Sequence, residues 1–159
     1  MNPMMDPVHA MRPGVLHLNN LPPLSLYVHL PWCIRKCPYC DFNSHVRERV
    51  DVAGWQAALL ADMRAETEVA GGEPLTSIFF GGGTPSYLSA KQLHELTDKL
   101  KAVLPWDAAE EVAFEAEPGT LNPGKLTAIK EVGVTRLSLG VEHFDDHVLQ
   151  INGRAHRSA

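Results

Sequence analysis

The chain has only three cysteines in 159 residues, all between Cys33 and Cys40. An odd count at so tight a spacing excludes a disulfide scaffold. No apolar run approaches the roughly 20 residues that a membrane-crossing helix needs. A surplus of positive charge is also missing. Fourteen Lys and Arg stand against nineteen Asp and Glu, a net charge of −5, which argues against a basic surface for nucleic acid. Met1 to Asn20 lack the charged-then-apolar pattern of an export signal and read as a loose leader. Reduced thiols without an export signal predict a cytoplasmic location.

What the chain does have is concentrated in one stretch, Tyr27-Val28-His29-Leu30-Pro31-Trp32-Cys33-Ile34-Arg35-Lys36-Cys37-Pro38-Tyr39-Cys40. An apolar run enters a loop that carries every thiol, spaced three and then two residues apart. Thiolates are the preferred ligands of iron–sulfur clusters, and three of them can each take one iron of a cubane. The fourth iron is then open to a ligand. The competing reading is a zinc site completed by His29 or His45, which would make the chain a small zinc-stabilised binding module. The spacing favours the three-ligand cluster.

Hydrophobic periodicity predicts the rest. Leu24 to Leu30 reads as a strand ended by Pro31. From Val52 to about Val69, apolar residues including Trp55, Leu59 and Met63 fall at helical spacing, and Gly71-Gly72 ends the run. Thr76 to Phe80 has the continuous apolar character of a buried parallel strand and opens into Gly81-Gly82-Gly83-Thr84-Pro85. Ser89 and Gln92 form a capping-box pattern for a second helix striped by Leu93, Leu96, Leu100 and Leu104. Glu111 to Ala116 is a third strand. Asn122 and Pro123 open a third helix that Gly133 ends. Val134 to Leu139 is a fourth strand, and Asp145 caps a short helix through about Leu149.

This rhythm predicts an α/β fold with a parallel sheet of about four β/α units, with 21–157 as one domain. The cysteine loop, the glycine loop, the turn Glu117-Pro118-Gly119-Thr120 and the string from Gly140 to Phe144 each follow a strand, so in a barrel the cysteines, the glycines, Glu115 and Glu142 would meet on the rim that carries the chemistry.

The cysteine spacing, with Tyr39 just before the last thiol, resembles the signature of the radical S-adenosylmethionine (SAM) enzymes. The string from Tyr27 through Cys40-Asp41-Phe42-Asn43-Ser44-His45 resembles more closely the family of oxygen-independent coproporphyrinogen III oxidases and HemW-like haem chaperones, and the likeness runs from about Leu21 to Arg157. It implies a partial (β/α) barrel of the radical SAM type, truncated before barrel completion and without a C-terminal domain. Strand four would then be an open edge, and the isolated chain would be poorly soluble or unstable. The implied cofactors are a 4Fe-4S cluster held by Cys33, Cys37 and Cys40, and SAM contacted by Tyr27, Gly82, Gly83, Thr84, Glu115, Glu142 and Arg154. The implied partners are haem or a porphyrin and a small electron-donor protein. Phe42 stands where the decarboxylating members carry one more cysteine, which points to haem binding and transfer. Radical decarboxylation of coproporphyrinogen III is the alternative. The eight histidines do not single out a haem ligand. The chain departs from the family pattern at Glu117, where Asn is usual, at Glu142 and His143, where Gln and Ser are usual, and at Ile151-Asn152.

Overall fold

A computed structural model describes residues 23–71 and 73–158; the leader and Gly72 lie outside them. Four strands, β1 (Leu24–Leu30), β4 (Leu75–Gly82), β5 (Glu111–Ala116) and β6 (Arg136–Leu139), form a parallel sheet in the order β1-β4-β5-β6. Two further strands of two residues each, β2 (Trp32–Cys33) and β3 (His45–Val46), pair in parallel and close the base of the cysteine loop. Their shortness left no alternation for the sequence to reveal. The helices are α1 (Val52–Val69), α2 (Ala90–Lys101), α3 (Pro123–Glu131) and α4 (Asp146–Ile151).

The period-two geometry of strands sorts their side chains onto two faces. Val28, Leu30, Ile78, Phe80, Val112, Phe114 and Ala116 are buried against Leu60 of α1, Leu93, Leu96 and Leu100 of α2 and Ile129 of α3. Leu104, the expected end of the α2 stripe, is partly buried beside them. The opposite face carries Tyr27, His29, Phe79, Glu115 and Arg136, and there Tyr27 is 54% exposed. On α1 the fully buried positions are Val52, Gln56 and Leu60. Trp55, Leu59 and Met63, expected as core, flank that line and are partly buried. Gln56 tolerates burial because it donates to the Gln92 carbonyl and accepts from Lys99 Nζ.

The helix caps follow the local chemistry. Ser89 and Gln92 exchange both bonds of a capping box, and Asn122 Oδ1 accepts from Lys125 N. Gly133 ends α3 at φ +99°. The fourth strand is shorter than the expected Val134–Leu139. The Thr135 hydroxyl accepts from Val112 N at 2.9 Å, so a side chain takes the place of a ladder carbonyl and regular pairing starts only at Arg136. The second strand runs two residues further than expected, because Gly81 and Gly82 continue the pairing with His29 and Leu30.

Candidate functional site

The strands end at a common rim, and there a cleft of about 360 Å³ opens. Cys33, Cys37 and Cys40 line it together with Gly82, Gly83, Thr84, Glu115, Glu142 and Arg154. Residues more than a hundred positions apart are thus brought onto one wall, as the strand-end placement predicts. Tyr27 is the exception. It lies on the open face of the sheet, stacked on Phe79 with ring centroids 5.7 Å apart, behind Gly81 and outside the residues lining the cleft.

Backbone bonds place the thiols beside the glycine loop. Gly83 N donates to the Leu30 carbonyl and Thr84 N to the Trp32 carbonyl, at 2.7 and 2.8 Å. A Cβ on Gly83 would collide with the Trp32 carbonyl and lie 3.0 Å from Cys33 Sγ. Only a bare backbone passes so close to that sulfur. Gly82 has φ +108°, and a Cβ there would meet His29 Nδ1 and the Leu30 carbonyl at 2.7 Å. The cysteine loop is held by Lys36 Nζ, which donates to the Phe42 carbonyl at 2.8 Å. His29 Nε2 pairs with the Asn43 carbonyl at 2.9 Å. That contact engages one of the two histidines considered as the fourth ligand of a zinc site.

All three thiols are free, Cys33 buried and the others half-buried. Among the described residues, no three His, Cys, Asp or Glu side chains converge on a point that would hold a single ion. All three line the same cleft, and in a cubane cluster each could bind its own iron.

Arg154 joins the far side of the cleft to the cysteine loop. Its side chain is 8% exposed. Nη1 lies 3.4 Å from both Cys37 Sγ and Tyr39 Oη, and Nη2 donates to the Gly140 carbonyl. Nη2 is also 3.6 Å from Glu117 Oε1. Burial works against its charge, but the bond to Cys37 and the nearby Tyr39 and Glu117 raise its pKa above the usual value. Nε is buried and has no partner among the described residues. A buried unpaired donor costs on the order of 1–3 kcal/mol, and more on a charged group, and a ligand anion would satisfy it. Together with the glycine cradle and the thiols, it fits a cluster and an amino-acid-bearing ligand.

Burial is the main cause that raises the Glu115 carboxyl above its ordinary value, and the Gly82 backbone N–H offsets it only in part. Desolvation, then hydrogen bonding to Cys37, pushes the Tyr39 phenol up to about 12. Glu142 is the one non-glycine residue among those described with positive φ, +66°. Strain of that kind gathers at functional sites.

The sequence reading passed over three contributors. Arg35 Nη1 donates to the Gly153 carbonyl at 3.1 Å and ties the cysteine loop to the segment after α4. His156, two residues beyond Arg154, bonds Glu117 Oε1 and the Val141 carbonyl, both at 3.0 Å. Ser86 and Thr120 share a bond that links the glycine loop to the turn after β5. Only the string Gly153-Arg154-Ala155-His156 carried a hint of this, since it places the histidine near the arginine.

Comparison with known proteins agrees with this geometry. Residues 27–159 match the radical SAM superfamily. The chain is 44% identical over 137 residues to the haem chaperone HemW of Escherichia coli, covering 86% of this chain and 36% of that protein. It is 42% identical over 134 residues to HemW of Bacillus subtilis, covering 84% and 35%. A mitochondrial radical S-adenosyl methionine domain-containing protein 1 of Bos taurus is 36% identical over 132 residues, covering 83% and 30%. Among solved structures, the coproporphyrinogen III oxidase HemN of Escherichia coli, a radical SAM enzyme, superposes with a TM-score of 0.73 at 29% identity, covering 84% of this chain and 31% of that one. The chain therefore spans about a third of the length of these relatives.

Proposed function

The chain belongs to the radical SAM superfamily, and on that premise we propose that the rim cleft holds a 4Fe-4S cluster and SAM in a protein of haem binding and transfer. The observation that carries this reading is the gathering of three free thiols, a glycine cradle and a buried arginine with an unpaired Nε in the lining of one cleft. Cys33, Cys37 and Cys40 each hold one iron. When bound, the cluster supplies one electron to the SAM sulfonium, which breaks a carbon–sulfur bond.

The residues of the chain bind and orient. Gly82, Gly83 and Thr84 present backbone to the amino end of SAM without side-chain obstruction. Arg154 Nε–H donates to an anionic group of the ligand, and Glu115 and Glu142 place negative charge beside the cationic ones. Ile34, Tyr39, Phe42 and Leu139 give the cleft part of its apolar lining. Tyr27 supports from behind, through its proximity to Gly81 and Glu115. Reduction requires a small electron-donor protein. Among the described residues no helix is long and apolar enough to cross a membrane, and a cytoplasmic site of action agrees with thiol ligands.

Haem is favoured over a porphyrinogen substrate by the relatives named haem chaperones and by Phe42. The second reading, radical decarboxylation of coproporphyrinogen III, is favoured by the structural likeness to HemN. Anaerobic titration of the cluster-loaded chain with haem tests the choice, beside incubation with coproporphyrinogen III, SAM and a reductant. The expected result is a saturable shift of the haem Soret band and no release of carbon dioxide. Carbon dioxide release, or a haem spectrum unchanged by the protein, would contradict it.

A further inference from the structure

Nη1 and Nη2 of Arg154 make three hydrogen bonds inside the protein and Nη2 also faces Glu117, whereas the buried Nε–H has no partner among the described residues. An arginine used in this way must be held in one orientation, and part of the holding comes from Glu117, in the turn after β5, and the neighbouring His156. Glu117 Oε1 reaches Arg154 Nη2 at 3.6 Å and His156 Nδ1 at 3.0 Å. His156 Nε2 in turn reaches the Val141 carbonyl at 3.0 Å. Both ring nitrogens thus face oxygen partners, which fixes the plane of the ring. Glu117 and His156 are 17% and 10% exposed, so the contact is largely shielded from water.

Glu117 is itself fixed at the backbone. Its N–H donates to Ser86 Oγ at 3.2 Å, and its carbonyl accepts from the Thr120 N–H and hydroxyl at 3.0 and 2.7 Å. The Ser86 carbonyl accepts from Lys125 Nζ at 2.7 Å. A continuous set of bonds therefore runs from the glycine loop through Glu117 and His156 to the segment that carries Arg154. An Asn at position 117, usual in the family, has a shorter side chain and no charge to set against the guanidinium.

We propose that Glu117 and His156 are a positioning pair that orients Arg154 so that its free Nε–H meets the carboxylate of SAM. This rests on the cofactor reading above. Oriented donors discriminate ligands by the group they meet, because a site built for a carboxylate loses that bond with an analogue lacking it.

The test compares equilibrium binding of SAM and of decarboxylated SAM, which keeps the adenosine, sulfonium and amine, to the anaerobically cluster-loaded chain. The unaltered protein is expected to prefer SAM by roughly tenfold or more, the equivalent of one hydrogen bond to a charged group. In Glu117→Gln and His156→Ala the preference should collapse through weaker SAM binding alone, with decarboxylated SAM bound as before. His156→Gln, which restores a donor toward Glu117, should recover part of it. Iron and sulfide content measured in parallel reports folding of the cluster loop. An unchanged preference in both variants, or equal weakening of both ligands, would overturn the proposal. So would loss of the cluster in both, which assigns the pair to folding. Binding of neither ligand to unaltered protein with an intact cluster would overturn the cofactor reading and the pair together.

Discussion

Glu115 ends β5 in the cleft wall, half-buried, and its position there costs ionisation energy. Burial raises its pKa from the ordinary 4.5. A carboxyl raised in the folded state contributes stability at low pH, where it is protonated in both states. That contribution is lost as the pH climbs from 4.5 through the folded value. Replacing Glu115 by Gln removes the charge and leaves the shape. The melting temperature of Glu115→Gln should therefore exceed that of the unaltered chain at pH 7, and the gap should narrow toward pH 4. A gap that is constant with pH would mean that the carboxylate is not the destabilising group. The same residue is expected to sit near the cationic part of SAM, so its local cost is consistent with a site that trades stability for charge complementarity. At this scale the cysteines and glycines were legible because their chemistry is carried by residue type and spacing alone. Glu117 and His156 were not, because their pairing spans 39 positions and depends on where two loops cross.

At the scale of single elements, local rules account for most of what forms. The α2 helix starts where Ser89 and Gln92 satisfy each other's backbone donors, at 3.2 and 2.9 Å. Ser89→Ala should cost about 1 kcal/mol of stability, read as a lower chemical-denaturation midpoint, while Ser89→Asp should retain most of it. No loss in the alanine variant would show that α2 is held by its leucine stripe alone. β1, α1 and β5 match their expected bounds because each has an uninterrupted pattern and a clear terminator. β6 does not, since Val134 and Thr135 have strand-forming side chains but the Thr135 hydroxyl replaces the ladder bond. The α1 face was misjudged by one position. Trp55 is drawn aside by an edge-to-face contact with Trp32 at 5.2 Å, which leaves Gln56 to face the core.

For the molecule as a whole, parallel pairing needs crossovers, and the crossovers put every strand-end loop on one rim. That consequence could be read from the alternation of strands and helices without any side-chain detail, and it is why the residues expected to contact a cofactor line one cleft, Tyr27 excepted. Tyr27 precedes the rim by three residues and faces the open side of the sheet. β1 and β6 have no outer partner among the described residues, and on the face bearing Tyr27, Phe79 and Arg136 the first and last of these are exposed. The sheet is therefore open at both edges among the described residues, with the cleft at one end of it. Four strand ends and their loops are expected to suffice to assemble the cofactor site. The measurement that tests it is anaerobic reconstitution with iron and sulfide, followed by electron paramagnetic resonance of the reduced protein with and without SAM. The account predicts a 4Fe-4S signal that depends on Cys33, Cys37 and Cys40 and shifts when SAM is added. A cluster signal indifferent to SAM, or no cluster at all, would contradict it.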